Sequence, residues 1–255
     1  MPRIARAVFP GLPHHVTQRG NHRERVFFSN GDHESYLSLL CEYTVKHDIE
    51  VIAYCLMTNH VHLVVVPSNA AALHRALKPL HARYAQRVNR MRNQNGHLWQ
   101  GRYFSSTLDA KFVSAAIRYV ELNPVRAGMV ERAEEYGWSS AAAHCGLRGD
   151  RALSRSGRWA AGLPSVRQWS AWLAMGDDPE KLDTLRLHAG KNLPCGDSSF
   201  IESLESCCGR NLTFRPAGGQ RKSNDACKGE PAAISSSASH VTGRKVAKAR
   251  RHGSA

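Results

Sequence analysis

Two histidines stand two positions apart in an apolar, β-branched run. His60 and His62 open the segment His-Val-His-Leu-Val-Val-Val. Alternate side chains of a β-strand point to opposite faces, so both imidazoles share one face while Val61 and Leu63 point to the other. Two adjacent neutral imidazoles on a rigid strand form half of a divalent-metal site. The alternative is that both histidines are simply polar side chains on a solvated face of the sheet. A pair of histidines inside an apolar strand favours metal binding over this alternative.

A second reactive pair follows at helical spacing. Tyr119 and Asn123 are four residues apart and would share one face of a helix. An asparagine oxygen suits a hard cation as a further ligand, and a tyrosine hydroxyl can attack phosphorus to give a covalent phosphotyrosine. The alternatives are a half-buried aromatic at Tyr119 and a helix terminator at Asn123. Spacing alone leaves the nucleophile open between water, Tyr119 and Tyr84.

The charge of the chain predicts a polyanionic partner. Thirty-five Lys and Arg against 21 Asp and Glu give a net charge of +14. No acidic residue occurs between Glu50 and Asp109, whereas solvated faces normally mix signs, and we therefore expect nucleic acid as the partner. Trp99 could stack on an unpaired base or pack in the core. The candidate nucleic-acid-binding residues are Arg19, Arg23, Arg75, Lys78, Arg83, Arg87, Arg90, Trp99 and Arg102.

Composition also indicates where the protein acts. No segment reaches the roughly 18 apolar residues of a membrane span, and the first ten residues lack the apolar core of a secretory signal. Seven cysteines without a CxxC spacing indicate reduced thiols. We expect a cytoplasmic, nucleoid-associated protein with no membrane partner.

The hydrophobic pattern predicts an α+β fold. Two strands form a hairpin around Thr58-Asn59, and the order of elements is β-α-β-β-α-β-α. The first six elements predict the ferredoxin-like split β-α-β arrangement, an antiparallel sheet with helices on one face, and the last helix could pack beside the histidine strand. The predicted strands are 14–20, 50–57, 60–66 and 98–108, and the predicted helices are 32–44, with Asp32 as its cap, 70–92 and 111–123.

Three regions are expected along the chain. Residues 1–145 form the catalytic domain, and residues 146–215 form a helical C-terminal region with helix caps at Ser165, Asp178 and Asp197. Residues 216–255 are rich in Gly, Ser, Ala and basic residues, with too few large apolar side chains to fold. We expect them to be a disordered basic tail.

Three motifs together resemble a known family. They are Met-Thr-Asn-His-Val-His at 57–62, Leu-Trp-Gln-Gly-Arg-Tyr at 98–103 and Arg-Tyr-Val-Glu-Leu-Asn-Pro-Val-Arg-Ala-Gly at 118–128. The combination resembles the REP-associated tyrosine transposases, which belong to the single-tyrosine, His-hydrophobe-His superfamily of insertion-sequence-200-like transposases. The resemblance covers roughly residues 1–145 and continues weakly through 196–210.

The resemblance implies roles for four residues. His60 and His62 match the pair that binds Mg²⁺ or Mn²⁺, and Asn123 falls where the superfamily often places a glutamine as third ligand. Tyr119 matches the nucleophile that cuts single-stranded DNA, leaving a 5′-phosphotyrosine and a free 3′-hydroxyl. The family acts on palindromic, hairpin-forming repeats and reads short single-stranded flanks. Relatives work as dimers or monomers, so either state is expected here.

The leading hypothesis is therefore a metal-dependent single-stranded DNA endonuclease and strand transferase with a phosphotyrosine intermediate. One alternative is a hairpin DNA-binding protein without catalysis. Another is a metal-dependent nuclease that uses water, which requires only the histidines. Phenylalanine at position 119 separates the first hypothesis from the last, because it removes the covalent adduct only in the first.

Overall fold

The protein is described from a computed structural model that covers residues 6–154, 159 and 162–213. All of these residues fall within one compact unit, Met1–Arg215. The basic tail expected over 216–255 lies outside the described residues. The boundary expected at residue 145 stays a prediction.

A four-stranded antiparallel sheet forms the centre of the molecule. Its spatial order is β2-β3-β1-β4, so β3 lies between the two strands that flank the first helix in sequence. This is the ferredoxin-like split β-α-β order, and the predicted α+β fold is confirmed. The strands are His14–Arg19 (β1), Ile49–Met57 (β2), His60–Pro67 (β3) and Phe104–Thr107 (β4).

Helices pack on both faces of this sheet. The helices are Asn30–Lys46 (α1), Ala72–Met91 (α2), Ala110–Glu121 (α3), Asn123–Arg126 (α4), Ala141–His144 (α5), Val166–Ala174 (α6), Pro179–Ala189 (α7) and Ser198–Cys208 (α8). Val61 and Leu63 pack in one core with α1 and α2, whereas Met57 and Val64 pack in a second core with α3. The expectation of helices on one face holds for α1 and α2, and α3 covers the other face because the strands are apolar on both sides.

Two predicted boundaries are corrected by local hydrogen bonds. Helix α1 begins after Ser29, whose hydroxyl accepts from the backbone of Asp32 while the Asp32 carboxylate accepts from the backbone of Ser29. Asp32 is thus the third residue of a capping box rather than the cap. The strand predicted over 98–108 is limited to β4. Trp99 forms only a single bridge with Gly20, because its indole turns into the core and donates to the His81 carbonyl.

The turn that precedes the histidine strand is held by a glycine on β1's C-terminal side. The Gly20 amide donates to the Asn59 carbonyl at 2.8 Å, and the Val26 amide donates to the Thr58 carbonyl at 2.9 Å. A Cβ atom on Gly20 would lie 2.2 Å from the Glu24 carbonyl oxygen. Only glycine allows the chain at 20–26 to fold this closely over the turn that positions His60.

The C-terminal region covers the exposed edge of β4. The Ser105 amide donates to the Asn192 side-chain oxygen at 2.9 Å, and the Cys195 amide donates to the Thr107 carbonyl at 2.8 Å. Covering an edge strand satisfies its backbone groups and blocks pairing with other chains. The segment after α7 is therefore hydrogen-bonded to the edge of the sheet. Within the described residues, no helix combines the length and apolarity that crossing a membrane requires.

Replacing Gly20 with alanine is expected to destabilise the fold, because the added methyl group meets backbone that cannot rotate away. Gly20→Ala should lower the free energy of unfolding by about 1–3 kcal/mol, the usual penalty of overpacking. Urea denaturation followed by circular dichroism measures the change. Gly149→Ala is the matched control, because a Cβ atom there meets nothing within 4 Å. Equal losses in both variants would contradict the close approach.

Candidate active site

Strand β3 places His60 and His62 side by side on the face covered by α3. Their ring centroids are 4.8 Å apart and the rings meet edge to face at 82°. In the register of the sheet, Arg19 lies opposite His60 and Thr17 lies opposite His62. The predicted sharing of one face is confirmed, and β1 supplies the side chains that lie beside both imidazoles.

One nitrogen of each imidazole is engaged by a neighbour. The His60 Nδ1 atom lies 2.6 Å from the Asn59 side-chain oxygen, and the Asn59 amide nitrogen donates to the Arg23 carbonyl. Because that Asn59 oxygen can only accept, His60 Nδ1 carries the proton and Nε2 keeps a lone pair. The His62 Nδ1 atom lies 2.9 Å from His15 Nε2.

Both imidazoles are in the protonation state that a metal ligand needs. Burial, with a smaller contribution from the nearby Arg19 guanidinium, lowers the pKa of His60 to about 4. Burial also holds the pKa of His62 well below its ordinary value, and the nearby His60 and His15 rings make smaller contributions in the same direction. Neutral imidazoles offer a lone pair, so the two histidines suit a divalent cation near neutral pH.

Helix α3 brings Tyr119 against these histidines. The helix begins after Asp109, whose carboxylate accepts from the Phe112 amide, and it buries Ile117 and Val120 against the sheet. Tyr119 is half-buried, and its ring centroid lies 5.4 Å from that of His62, edge to face at 86°. The structure therefore unites three of the four predicted catalytic and metal-binding residues.

An arginine that the sequence did not single out covers the tyrosine. The Arg126 guanidinium lies 4.6 Å from the centre of the Tyr119 ring and also donates to the Tyr119 carbonyl. Its other nitrogen donates to Asp177 in the C-terminal region at 2.5 Å. The ion pair with Asp177, which lies outside α3, thus holds the Arg126 guanidinium over the Tyr119 ring.

A cavity of about 320 Å³ opens over the candidate reacting groups. His60, His62 and Tyr119 line it together with residues of β1 and the end of α7. Asn123 is not among the lining residues, and its amide nitrogen donates to the Tyr119 carbonyl at 3.2 Å. Its predicted role as third ligand stays a prediction.

The donor set offers a cation two imidazoles and leaves its other positions for oxygen ligands. Across the described part of the chain, no group of three His, Cys, Asp or Glu residues could hold a metal ion. Two adjacent neutral histidines facing a water-accessible cavity leave positions for oxygen ligands from an amide, water or a phosphate. This arrangement fits an open divalent-metal site rather than a closed structural zinc site, and the expected Mg²⁺ or Mn²⁺ stays a prediction.

The cavity continues into a basic groove. A second cavity, of about 490 Å³, shares Gln18, Arg19, Gln100 and Phe104 with the first. A third, of about 530 Å³, extends from residues 101–103 to α2. No described residue that lines the three cavities is acidic. We call these joined cavities the basic groove, and its lining cations include Arg6, Arg19, Lys78, Arg102, Arg186 and Lys191.

The nine candidate nucleic-acid-binding residues do not all face this groove. Those that line it are Arg19, Lys78, Trp99 and Arg102. Trp99 is only 8 % exposed, so most of its ring belongs to the core. Arg83 points towards α1 and pairs with Glu42 at 2.9 Å. The remaining four are exposed and do not line the groove: Arg23, Arg75, Arg87 and Arg90.

A buried carboxylate anchors α3, the helix that carries Tyr119, to the C-terminal region. Glu121 is fully buried, and one of its oxygens accepts from the Ser140 hydroxyl at 2.5 Å and from His144 Nδ1 at 2.6 Å. Its other oxygen accepts from the Trp169 indole at 2.8 Å. Three donors around one buried carboxylate form a network that holds α3, α5 and α6 together.

Comparison with known proteins agrees with the sequence motifs. Residues 9–123 match the family model described as "Transposase IS200 like". The resemblance to that superfamily is therefore confirmed over this part of the chain. No curated protein matches the chain.

Two solved structures are similar to the chain at low identity. One is titled "Structure of the REP associates tyrosine transposase bound to a REP hairpin", at 15 % identity over 61 % of this chain and 99 % of that one, with a TM-score of 0.49. The other is a putative transposase from Deinococcus radiodurans R1, at 17 % identity over 50 % and 92 % of the two chains, with a TM-score of 0.33. The resemblance to the transposase family rests on the match over residues 9–123.

Replacing the Glu121 carboxylate with an amide is expected to break the network. In Glu121→Gln, one carboxylate oxygen becomes an NH₂ group, which donates and cannot accept from Ser140, His144 or Trp169. The unmet donors should lower the free energy of unfolding by about 3 kcal/mol. Chemical denaturation followed by tryptophan fluorescence measures the loss. Glu34→Gln, on the exposed face of α1, is the control and should change stability little. A loss at Glu121 no larger than the control would show that the network does not hold the helix.

Proposed function

Because residues 9–123 match the insertion-sequence-200-like transposases, we propose that the protein is a metal-dependent enzyme that cuts and rejoins single-stranded DNA. The intermediate is a 5′-phosphotyrosine on Tyr119, and the substrates are hairpin-forming repeats. The observation that carries the proposal is the position of Tyr119, whose ring lies 5.4 Å from that of His62 in one shared cavity. The hairpin substrate is inferred from the motifs shared with REP-associated transposases.

Tyr119 supplies the nucleophile in this proposal. Its hydroxyl oxygen attacks the phosphorus of a phosphodiester, and the bond from phosphorus to the 3′-oxygen breaks. The tyrosine hydroxyl loses its proton, and the departing 3′-oxygen gains one. The new phosphotyrosine bond retains the energy of the phosphodiester, so a 3′-hydroxyl can attack it and rejoin the strand.

His60 and His62 would hold the cation, with Asn123 as the proposed third ligand. When bound, Mg²⁺ or Mn²⁺ supplies Lewis-acid polarisation of a phosphate oxygen. The two imidazoles remain neutral because burial lowers the pKa of each. To serve as a ligand, the Asn123 side chain must turn from the Tyr119 carbonyl towards the cavity. Arg126, which lies over the Tyr119 ring and pairs with Asp177, would hold that ring in place.

The basic groove would guide the single strand to the cavity. Lys78 and Arg102 line parts of the groove away from the histidines, and Arg19 lines both the first and the second cavity. Cations spaced along a groove track phosphates, and an exposed aromatic offers a stacking surface for an unpaired base. Phe104, which lines both the first and the second cavity, is 37 % exposed and suits the stacking role, whereas Trp99 is only 8 % exposed.

Loss of the tyrosine hydroxyl is expected to abolish the covalent intermediate. The full chain is incubated with 5′- or 3′-labelled single-stranded hairpin DNA, with Mn²⁺ or EDTA, and resolved on a denaturing protein gel. The label of the downstream fragment should move to the wild-type protein only with Mn²⁺, and Tyr119→Phe should form no adduct. Tyr84→Phe is the matched control, because the Tyr84 hydroxyl is buried and donates to the Val26 carbonyl.

Other outcomes point to other functions. Cutting without an adduct in the wild type, retained in Tyr119→Phe, would identify a nuclease that uses water. Hairpin binding with neither cutting nor adduct would identify a DNA-binding protein. An adduct that persists in Tyr119→Phe would place the nucleophile on another residue.

Removing a cation from the groove is expected to weaken DNA binding in a salt-dependent way. Arg102→Gln should reduce the slope of log affinity against log salt by about 0.7, the value for one lost contact to a single-strand phosphate. Fluorescence anisotropy with a hairpin that carries a single-stranded flank measures this slope. Arg83→Gln is the control, since Arg83 pairs with Glu42 away from the groove. Identical slopes for both variants would contradict the proposed path.

A further inference from the structure

A third histidine lies beside the candidate metal-binding pair and is not used in the proposed reaction. His15 is on β1, where it is 1 % exposed and lies opposite Val64 of β3. The register places its side chain on the same face as His62. Burying a polar ring on this face calls for a hydrogen-bond partner.

The contacts of His15 are concentrated on His62. Its Nε2 atom lies 2.9 Å from His62 Nδ1, and the two rings are nearly parallel, at 13°, with their centroids 5.1 Å apart. The edge of Tyr119 lies 5.5 Å away. The other nitrogen of His15, Nδ1, is buried without a hydrogen-bond partner among the described residues.

His14, the neighbour of His15 on β1, shows how a histidine that only supports the backbone is hydrogen-bonded. His14 Nδ1 bonds to the Leu12 carbonyl, and its Nε2 bonds to the Phe9 amide. Both ring nitrogens of His14 thus bond to the backbone, whereas within the described part of the chain the ring of His15 bonds to His62. This contrast assigns the ring of His15 to the orientation of His62 rather than to the support of the backbone.

The shared proton decides whether His62 can bind a cation. If it lies on His62 Nδ1, the Nε2 atom of His62 presents a lone pair, and neutral His15 carries its proton on Nδ1. If it lies on His15 Nε2, neutral His62 carries its own proton on Nε2 and has no lone pair there. Only the first arrangement leaves the second nitrogen of His62 available as a ligand.

We propose that His15 is a positioning residue that accepts the Nδ1–H of His62 and thereby presents the Nε2 lone pair of His62 to a divalent cation. The inference rests on the proposed function, because it assumes that His60 and His62 hold that cation. Partners of this kind fix the tautomer and ring orientation of a ligand, and their loss typically lowers metal affinity about 10- to 100-fold.

Binding of Mn²⁺ to the full chain without DNA tests the proposal separately from activity. Free Mn²⁺ is counted by electron paramagnetic resonance during a titration. His15→Phe keeps a ring but has no acceptor, and it should weaken Mn²⁺ binding about 10- to 100-fold. His15→Gln offers an amide oxygen to His62 Nδ1 and should recover most of the affinity. This rescue is not expected if His15 serves only to fill space.

His33→Phe is the matched control for a buried histidine. His33 stacks between Phe27 and Trp138, and one of its ring nitrogens, Nε2, is buried without a hydrogen-bond partner among the described residues, as Nδ1 is in His15. It lies in the opposite core, so Mn²⁺ affinity should remain that of the wild type. A loss in His33→Phe equal to that in His15→Phe would trace the effect to general destabilisation and overturn the proposal.

The tautomers provide a second, spectroscopic readout. Long-range ¹H–¹⁵N correlation spectra of the Mg²⁺-saturated protein should show both His15 and His62 protonated at Nδ1. A proton on His15 Nε2 in that state would overturn the proposal.

The outcomes also separate this inference from the proposed function. Equal Mn²⁺ affinity in the wild type and His15→Phe, together with a loss in His60→Ala, would overturn the role of His15 and leave the metal site intact. No Mn²⁺ binding by the wild type would overturn both. Weakening in His15→Phe with recovery in His15→Gln is the result that the proposal predicts.

Discussion

Burial of the sheet on both faces is the constraint on which the candidate site depends. Strand β3 lies in the interior of the sheet, with α1 and α2 on one side and α3 on the other. Its alternation sends Val61 and Leu63 to one core and both candidate metal-binding histidines to the other. A polar ring in that position needs partners, and the nearest elements supply them: Asn59 from the turn and His15 from β1. The same burial keeps the imidazoles neutral and therefore able to bind a cation.

The tyrosine depends on a second set of contacts, which comes from beyond the family match. That match ends at residue 123, whereas Arg126 covers the Tyr119 ring and is itself paired with Asp177. Glu121 joins the same helix to Trp169, and the end of α7 lines the cavity. The C-terminal region therefore contributes to the position of Tyr119 and to the shape of the cavity that Tyr119 lines.

Local patterns predicted the features that depend on neighbours in sequence. Strict alternation placed His60 and His62 on one face, and the caps Asp178 and Asp197 begin α7 and α8 as expected. Features that depend on the register of the sheet could not be read in this way. The contact of His15 with His62 requires β1 to pair with β3 at one register, and 47 residues separate the two histidines. The burial of Trp99 depends on the same tertiary packing, through its bond to the His81 carbonyl, and it shortened the predicted strand.

The most direct test of the metal and tyrosine site is anomalous X-ray diffraction from crystals of the protein grown with Mn²⁺. The account predicts one anomalous peak in the cavity, bonded to a nitrogen of His60 and a nitrogen of His62 and next to the Tyr119 hydroxyl. A peak at another group of residues, or no peak in the cavity at saturating Mn²⁺, would contradict it.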